Sequence, residues 1–286
     1  MSIIRPRALA APVERRAFGR SALSCGAVGL GTWKVFDVTS PREKALCRQV
    51  VDEALASGSN LFDSSPMYGH SEHVLAECLL GRREEAVVAT KVWAASEDQA
   101  RSQVRDALTF FGGRVDLYQV HNLSLTAKVL DILEAAKRQG KVTAIGATHY
   151  QPSAFGELLT WMESGRLDGI QVPYSVGERA VEREVLPAAR RLGLFVLVML
   201  PFQQGALTGR APPAKALKEF EKFGCKTWPQ VLLKWILSDK RVTATIPGTA
   251  NPAHMAENAA AGSPPWFDDE TRDKVAALAK GAKERS

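Results

Sequence analysis

Short apolar segments alternate with longer amphipathic segments along most of the chain. The apolar segments have the length of strands and comprise residues 27–33, 60–65, 86–92, 115–121, 142–148, 168–174, 194–200 and 242–247. Because nearly every position in them is apolar, we expect each strand to be covered on both faces, as in a parallel sheet. The pattern therefore predicts eight strand–helix units.

The segments between the strands have the apolar spacing of helices, and residues 42–58 and 127–140 are two examples. The second ends at Gly140, a residue type that commonly follows a helix. In the first, the apolar positions are Leu46, Val50, Val51 and Leu55. These segments are predicted to be amphipathic helices that cover the sheet.

The predicted strand ends recur at a nearly constant interval. Six successive ends, from Asp63 to Leu200, are separated by 26 to 30 residues. Such regular units predict an α/β fold in which the sheet closes on itself, a (β/α)8 TIM barrel. Unit seven is longer, because 48 residues separate Leu200 from Gly248, and its Gly- and Pro-rich residues 201–215 predict a long functional βα loop after strand 7.

No internal repeat or linker divides the 286 residues. We therefore expect one barrel domain over residues 1–286, with a loose leader at 1–14 and a short N-terminal hairpin at 15–24. Apolar residues make up 45% of the chain and charged residues 24%, which is typical of a globular protein. The net charge of +6 is spread among interleaved acidic residues, so nucleic-acid binding is not expected.

Composition also bears on the protein's surroundings. The longest apolar run, residues 194–200, is too short to span a membrane. The four cysteines are far apart and have no metal-ligand spacing, so we expect no metal site, no disulfide and a reducing, cytoplasmic location. Arg15 and Arg16 resemble a twin-arginine export signal, but glycines and polar residues interrupt the segment that follows.

Titratable residues lie at the ends of three successive predicted strands. Asp63 with Tyr68, then Lys91, then His121 would meet at one end of a barrel, where active sites of this fold are built. A phenol is a poor acid at neutral pH unless a cation such as Lys91 stabilises its phenolate. Asp63 would hold Lys91 charged, and His121 would polarise a carbonyl oxygen. Each residue alone would more often be structural, but together they suit carbonyl reduction.

Six sequence blocks carry a family resemblance. They are FDSSPMYG (62–69), ATKVW (89–93), DLYQVHN (116–122), QVPYS (171–175), GALTG (205–209) and IPGTANPAHMAEN (246–258). Together they resemble the aldo-keto reductase superfamily over residues 16–261. The resemblance implies a (β/α)8 barrel that binds extended NADPH or NADH without a Rossmann domain, and a catalytic tetrad of Asp63, Tyr68, Lys91 and His121.

The resemblance also implies a cofactor site. Its residues would be Thr32, Trp33, Asp63, Thr148, His149, Gln171, Met199, Pro201, Phe202, Gln203, Gly205, Leu207, Gly209, Pro247, Gly248, Thr249, His254, Glu257 and Asn258. Gln171 would bind the carboxamide, and residues 203–209 would lie over the pyrophosphate. Asn251 and Pro252 have the pattern of a helix start, whose free N–H groups would meet the adenosine phosphate.

Three departures from the family pattern affect cofactor binding. Thr148 and His149 replace a Ser-Asn pair, and Met199 replaces a stacking aromatic residue, so the contacts to the nicotinamide would differ. At the 2′-phosphate position the chain has Gly248, Thr249 and His254 instead of Lys and Arg. These bind a phosphate more weakly than a guanidinium, so the preference for NADPH over NADH would be mild.

The implied substrate pocket is aromatic and apolar. Its residues would be Trp33, Phe36, Met67, Trp93, Asn122 and Leu123, although Phe36 and Met67 could equally be core residues. Such a lining favours a small or flat hydrophobic carbonyl compound.

The resulting hypothesis is a monomeric or weakly associated NAD(P)H-dependent reductase in which Tyr68 donates the proton. Two alternatives remain open from the sequence. One is a Schiff-base aldolase that uses Lys91, although Asp63 would keep that amine protonated. The other is a nucleotide-binding sensor or interaction subunit with little turnover, as in the potassium-channel β subunits that share this fold and motif set.

Overall fold

A computed structural model describes residues 12–209 and 211–283. The strands in this part of the chain are β1 (Arg15–Ala17), β2 (Ser24–Gly26), β3 (Leu30–Gly31), β4 (Leu61–Asp63), β5 (Val87–Val92), β6 (Val115–His121), β7 (Val142–Thr148), β8 (Gly169–Pro173), β9 (Phe195–Met199) and β10 (Ala244–Thr245). The α-helices are α1 (Pro41–Ser57), α2 (Ser71–Cys78), α3 (Glu97–Phe110), α4 (Thr126–Arg138), α5 (Phe155–Glu163), α6 (Val185–Leu192), α7 (Ala214–Leu217), α8 (Trp228–Leu237), α9 (Pro252–Ala260) and α10 (Asp269–Lys283).

Strands β3 to β10 form one sheet in chain order, and every neighbouring pair is parallel. The two edges of the sheet meet, because Val28 pairs with Thr245 and Gly31 pairs with Gly248 in parallel bridges. Helices follow the strands and cover the outside. The predicted (β/α)8 barrel with an N-terminal hairpin is confirmed.

The first and last barrel strands are shorter than predicted. The sequence predicted strands at 27–33 and 242–247, whereas ladder pairing is limited to β3 and β10. Backbone packing is close here: a Cβ atom on Gly29 would lie 2.7 Å from the Leu61 carbonyl oxygen, and one on Gly31 would lie 2.9 Å from that of Ile246. Gly29 thus lets the chain pack closely on β4, and Gly31 lets the two sheet edges approach each other and close the barrel.

Helix α1 shows how the outer layer is fixed. The side chain of Ser40 caps its first turn, and Gly58 ends it in the left-handed region at a φ of 86°. The buried stripe consists of Cys47, Val50, Val51 and Ala54, while the predicted core residue Leu46 is 39% exposed. Small side chains thus face the barrel, and the stripe is rotated from the predicted one.

The predicted hairpin is present as β1 and β2, which pair antiparallel with Arg16 opposite Cys25. Phe18 lies in the turn between β1 and β2 and is fully buried against Phe195, with ring centroids 4.6 Å apart. The hairpin therefore covers the N-terminal end of the barrel. Most of the predicted leader lies outside the described residues. Its last part is not loose, because Val13 is buried and its N–H donates to the Ser57 carbonyl oxygen.

The predicted long segment after β9 contains a 3₁₀ turn at Gln203–Gly205, helix α7 and a second 3₁₀ segment before α8. Leu200, Gln203 and Gln204 have φ values of 54°, 49° and 57°, in the left-handed region that non-glycine residues rarely occupy. This backbone brings the segment across the C-terminal end of the barrel. Among the described residues, no helix is long and apolar enough to cross a membrane.

Candidate active site

The four candidate catalytic residues converge at the C-terminal end of the barrel. Asp63 is the last residue of β4, Lys91 lies near the end of β5, and His121 ends β6. Tyr68 lies on the loop that follows β4. The parallel register brings these neighbouring strand ends together, as the sequence spacing predicted.

Asp63 and Lys91 form a buried ion pair. The Lys91 Nζ atom lies 2.7 Å from Asp63 Oδ2 and donates a second hydrogen bond of 2.7 Å to the Ser64 carbonyl oxygen. Burial by itself would lower the pKa of Lys91, but the Asp63 carboxylate and the nearby Tyr68 phenol raise it above its usual value. Burial raises the pKa of Asp63, and the ammonium group opposes that shift. Lys91 is therefore a permanent cation at neutral pH.

Tyr68 lies beside this cation. The Lys91 Nζ atom is 5.1 Å from the centroid of its ring, and the His121 ring meets it edge-on with centroids 5.8 Å apart. Burial raises the pKa of the phenol, while the Lys91 charge lowers it. The phenol thus stays protonated at neutral pH, and the ammonium group stabilises the phenolate that forms when the proton leaves.

His121 is a neutral imidazole in this site. Burial and the charge of Lys91 lower its pKa to about 3. Its Nδ1 atom lies 2.9 Å from the hydroxyl oxygen of Ser65. A neutral ring has one N–H donor, so His121 can donate one hydrogen bond to a bound oxygen atom.

Two buried glutamines extend the polar network, and sequence reasoning missed one of them. Gln119 Nε2 donates to Gln171 Oε1 at 2.9 Å and to Asp63 Oδ1 at 3.3 Å, and Gln171 Nε2 donates to Asp63 Oδ2 at 3.4 Å. Gln119 lies two residues before His121, on the same face of β6. A polar residue on the strand face that carries His121 was a usable signal.

A cleft of about 560 Å³ begins at Asp63 and Tyr68 and continues to α9. Fourteen of the predicted cofactor residues line it, namely Thr32, Trp33, Asp63, Gln171, Met199, Pro201, Phe202, Gly205, Pro247, Gly248, Thr249, His254, Glu257 and Asn258. Helix α9 begins at Pro252 with Asn251 as its cap, as predicted. The cleft is also lined by residues the sequence did not indicate, including Lys34, Gln204, Thr208 and Pro229.

Five predicted cofactor residues are not part of the cleft lining. Thr148 is buried, and His149 accepts a hydrogen bond from the Gln151 N–H and stacks on Tyr150. Leu207 packs against the hydrophobic core and accepts from the Trp228 indole through its carbonyl oxygen. The remaining two, Gln203 and Gly209, belong to the turns of the long loop that include Gly205.

The predicted substrate residues separate into two groups. Trp33, Met67 and Trp93 are 41%, 45% and 44% exposed, so they are large apolar side chains that solvent reaches. Asn122 and Leu123 follow β6 in the left-handed region, with φ values of 52° and 54°. Phe36, for which the sequence left pocket and core equally open, is fully buried in the hydrophobic core and is not a pocket residue.

A buried carboxyl group lies next to the site on α2. Glu72 is 6% exposed and accepts a hydrogen bond from the Thr90 hydroxyl, next to Lys91 in the chain. Burial raises its pKa from 4.5 to about 7. The folded protein therefore binds more protons than the unfolded chain between these values, and stability must fall as pH rises through that window.

We expect the free energy of unfolding to decrease by up to about 3 kcal/mol between pH 4.5 and 8 because of Glu72. Glu72→Gln keeps an acceptor for Thr90 and should remove this decrease. Urea unfolding at several pH values measures it, with Glu77→Gln, a half-buried position in the same helix, as the control. An unchanged pH slope in Glu72→Gln would contradict the assignment.

The fold is one that solved structures of reductases share. An aldo-keto reductase from Klebsiella pneumoniae, solved in complex with NADPH, superposes with a TM-score of 0.78 at 21% identity, covering 94% of this chain and 95% of that one. The sequence model of the aldo/keto reductase family matches residues 27–280. The chain therefore belongs to the aldo/keto reductase family and is an oxidoreductase.

Characterised relatives of similar length are distant in sequence. The chain is 28% identical to the NADH-specific methylglyoxal reductase of Escherichia coli, over 87% of this chain and 93% of the relative. It is 26% identical to the L-galactose dehydrogenase of Arabidopsis thaliana, over 95% of this chain and 96% of the relative. The two relatives are thus named for different carbonyl and sugar substrates.

Proposed function

We propose that the protein reduces an aldehyde or ketone to an alcohol with NADPH or NADH. The observation that carries the proposal is the buried Lys91–Asp63 pair beside Tyr68 and His121, at the inner end of the cleft. A neutral His121 suits donation of a hydrogen bond to the substrate oxygen, and Tyr68 suits donation of the proton that completes the alcohol. The same pair disfavours a Schiff-base role, because Asp63 keeps the Lys91 amine protonated.

The extent and lining of the cleft support binding of an extended nicotinamide dinucleotide, because it joins the candidate catalytic residues to the N-terminus of α9. When bound, the cofactor would supply the hydride. Gln171 and Met199 lie at the catalytic end, and the N-terminus of α9 lies at the other end, where the helix dipole favours a phosphate. The Ala253 N–H already donates to the Asn251 side chain, so the dipole and not a set of free N–H groups would attract the phosphate. Residues 201–205, in the long loop, would cover the middle of the molecule. The side chains present therefore fit this class of cofactor.

The preference between the two nucleotides should be mild. Thr249 and His254 line the α9 end of the cleft and offer a hydroxyl and an imidazole to a 2′-phosphate, whereas a guanidinium would bind it as a fork. Both nucleotides occur among similar proteins, because the E. coli relative is NADH-specific and the K. pneumoniae structure contains NADPH.

His254→Arg is expected to tighten NADPH binding about tenfold and to leave NADH binding unchanged, because only the former carries the 2′-phosphate. Titration of tryptophan fluorescence with each nucleotide gives the two Kd values. His73→Arg serves as the control, because it makes the same substitution on α2. The His73 side chain is 56% exposed. Equal tightening of both nucleotides, or the same effect in the control, would contradict a 2′-phosphate contact.

The substrate we propose is a small or flat apolar carbonyl compound. Trp33, Met67 and Trp93 offer apolar surface to such a molecule, and the name of the E. coli relative points to methylglyoxal, which is small. We expect the enzyme to work as a cytoplasmic monomer or weak oligomer.

Turnover is tested by adding 4-nitrobenzaldehyde and methylglyoxal to protein with either nucleotide and following the nicotinamide absorbance. Nucleotide binding without turnover across a panel of carbonyls would favour the sensor alternative instead.

A further inference from the structure

Ser65 is a buried hydroxyl that the proposed chemistry does not yet use. It lies on the loop between β4 and Tyr68 and is inaccessible to solvent. Its Oγ atom has two polar contacts: it accepts a hydrogen bond of 3.2 Å from the backbone N–H of Met67 and lies 2.9 Å from His121 Nδ1. Its position next to a candidate catalytic imidazole raises the question of which atom carries the proton between them.

The hydrogen-bond inventory of a hydroxyl answers that question. Serine has one O–H donor and two acceptor lone pairs, and the Met67 N–H occupies one lone pair. If His121 Nδ1 carried a proton, it would take the second lone pair, and the Ser65 hydrogen would have no acceptor among the contacts of the described residues. An unsatisfied buried donor is strongly disfavoured. Donation from Ser65 to an unprotonated Nδ1 satisfies both groups.

We infer that Ser65 is a positioning residue that holds His121 in the tautomer with its proton on Nε2. The inference rests on the proposed function, in which that N–H polarises the carbonyl oxygen of the substrate. Because the imidazole is neutral at working pH, it has a single hydrogen to offer, and the tautomer decides whether Nε2 donates or accepts. With the other tautomer, Nε2 would present a lone pair to an electron-rich carbonyl oxygen and repel it.

The same contact orients the ring. One hydroxyl contacts both the Met67 N–H and Nδ1, so Ser65 links the loop that carries Tyr68 to the end of β6. The edge-on packing of His121 against Tyr68 adds a second restraint. Ser65 therefore acts on the chemistry through His121 and not by contact with the substrate.

The direct test is ¹⁵N NMR of histidine-labelled protein without substrate. The chain has only five histidines, and the His121 signals are assigned by their loss in His121→Gln. We expect an unprotonated, hydrogen-bonded Nδ1 and a protonated Nε2 in the wild type. A proton on Nδ1 would overturn the inference without any variant, and this readout is independent of turnover, so it separates failure of the inference from failure of the proposed function.

Two variants and a control test the consequence for activity. Ser65→Ala should bring the two ring-nitrogen shifts closer together as the tautomers mix, and should lower kcat about fivefold or more with the nucleotide Kd unchanged. Ser65→Thr keeps the hydroxyl and should restore both. Ser59→Ala removes another buried serine hydroxyl, one without a hydrogen-bond partner in the described structure, and should change neither. Unchanged shifts and kcat in Ser65→Ala would overturn the positioning role.

Discussion

Tyr68→Phe is expected to lower kcat for aldehyde reduction by about 100-fold to 10,000-fold, the range that a positioned general acid contributes. The substitution removes only the hydroxyl group, so the ring can still pack between Trp33 and His121. Without the phenol, no other described group that lies beside both Lys91 and His121 can give up a proton and be stabilised as an anion. Nucleotide binding should be nearly unchanged, because the ring surface in the cleft remains.

The measurement is a steady-state rate with NADPH or NADH, followed at the nicotinamide absorbance, together with the nucleotide Kd from fluorescence. Tyr150→Phe is the matched control, since that tyrosine is 49% exposed and stacks on His149. It should retain full activity. If Tyr68→Phe kept more than a tenth of the wild-type kcat, the proton would have to come from another donor.

Asp63→Asn is expected to destabilise the fold by about 3–5 kcal/mol and also to abolish most activity. It leaves the Lys91 ammonium, which is 1% exposed, without its counter-charge. Removing one partner of a buried ion pair is far more destabilising than replacing both, because an uncompensated charge remains in a low-dielectric interior. Activity falls because the cation beside Tyr68 loses the group that keeps it charged and in position.

Denaturant unfolding measures the change in the free energy of unfolding. The double variant Asp63→Asn/Lys91→Met shows whether the loss comes from the unpaired Lys91 charge. The double variant removes both charges and should recover at least half of the lost stability while staying inactive. Asp52→Asn, which breaks exposed ion pairs with Arg48 and Arg82, should change stability by less than about 1 kcal/mol. A single variant as stable as the wild type would mean that Lys91 loses its proton easily, and that would revive the Schiff-base alternative.

The two predictions test two residues of the same site, Tyr68 and Asp63. Lys91 is the common element: it contacts Asp63 and stabilises the phenolate of Tyr68, and its charge adds to the larger effect of burial in lowering the pKa of His121. A charged lysine, a protonated phenol and a neutral imidazole can all persist at neutral pH in this arrangement. That combination is what acid-assisted reduction of a carbonyl group needs.

Sequence pattern alone was sufficient to predict the barrel and the place of the candidate catalytic residues. Apolar strands at intervals of 26 to 30 residues predict parallel βα units, and the carboxyl ends of parallel strands must lie at the same edge. Asp63, Lys91 and His121 end successive strands, so their convergence followed from local pattern and topology. The start of α9 at Pro252 could also be predicted, because an Asn cap and a proline determine it locally.

Only the tertiary structure decided which side chains face the core, the cleft or each other. Trp33 is exposed at the cleft while Phe36, three residues on in the same turn region, is buried. Leu46 was misassigned because apolarity predicts burial on average, but packing geometry selects the face of the helix that is buried. The contacts of Ser65 with His121 and of Gln119 with Gln171 join residues 52 or more positions apart. Such pairs depend on strand register and loop path, which no local pattern in one sequence encodes.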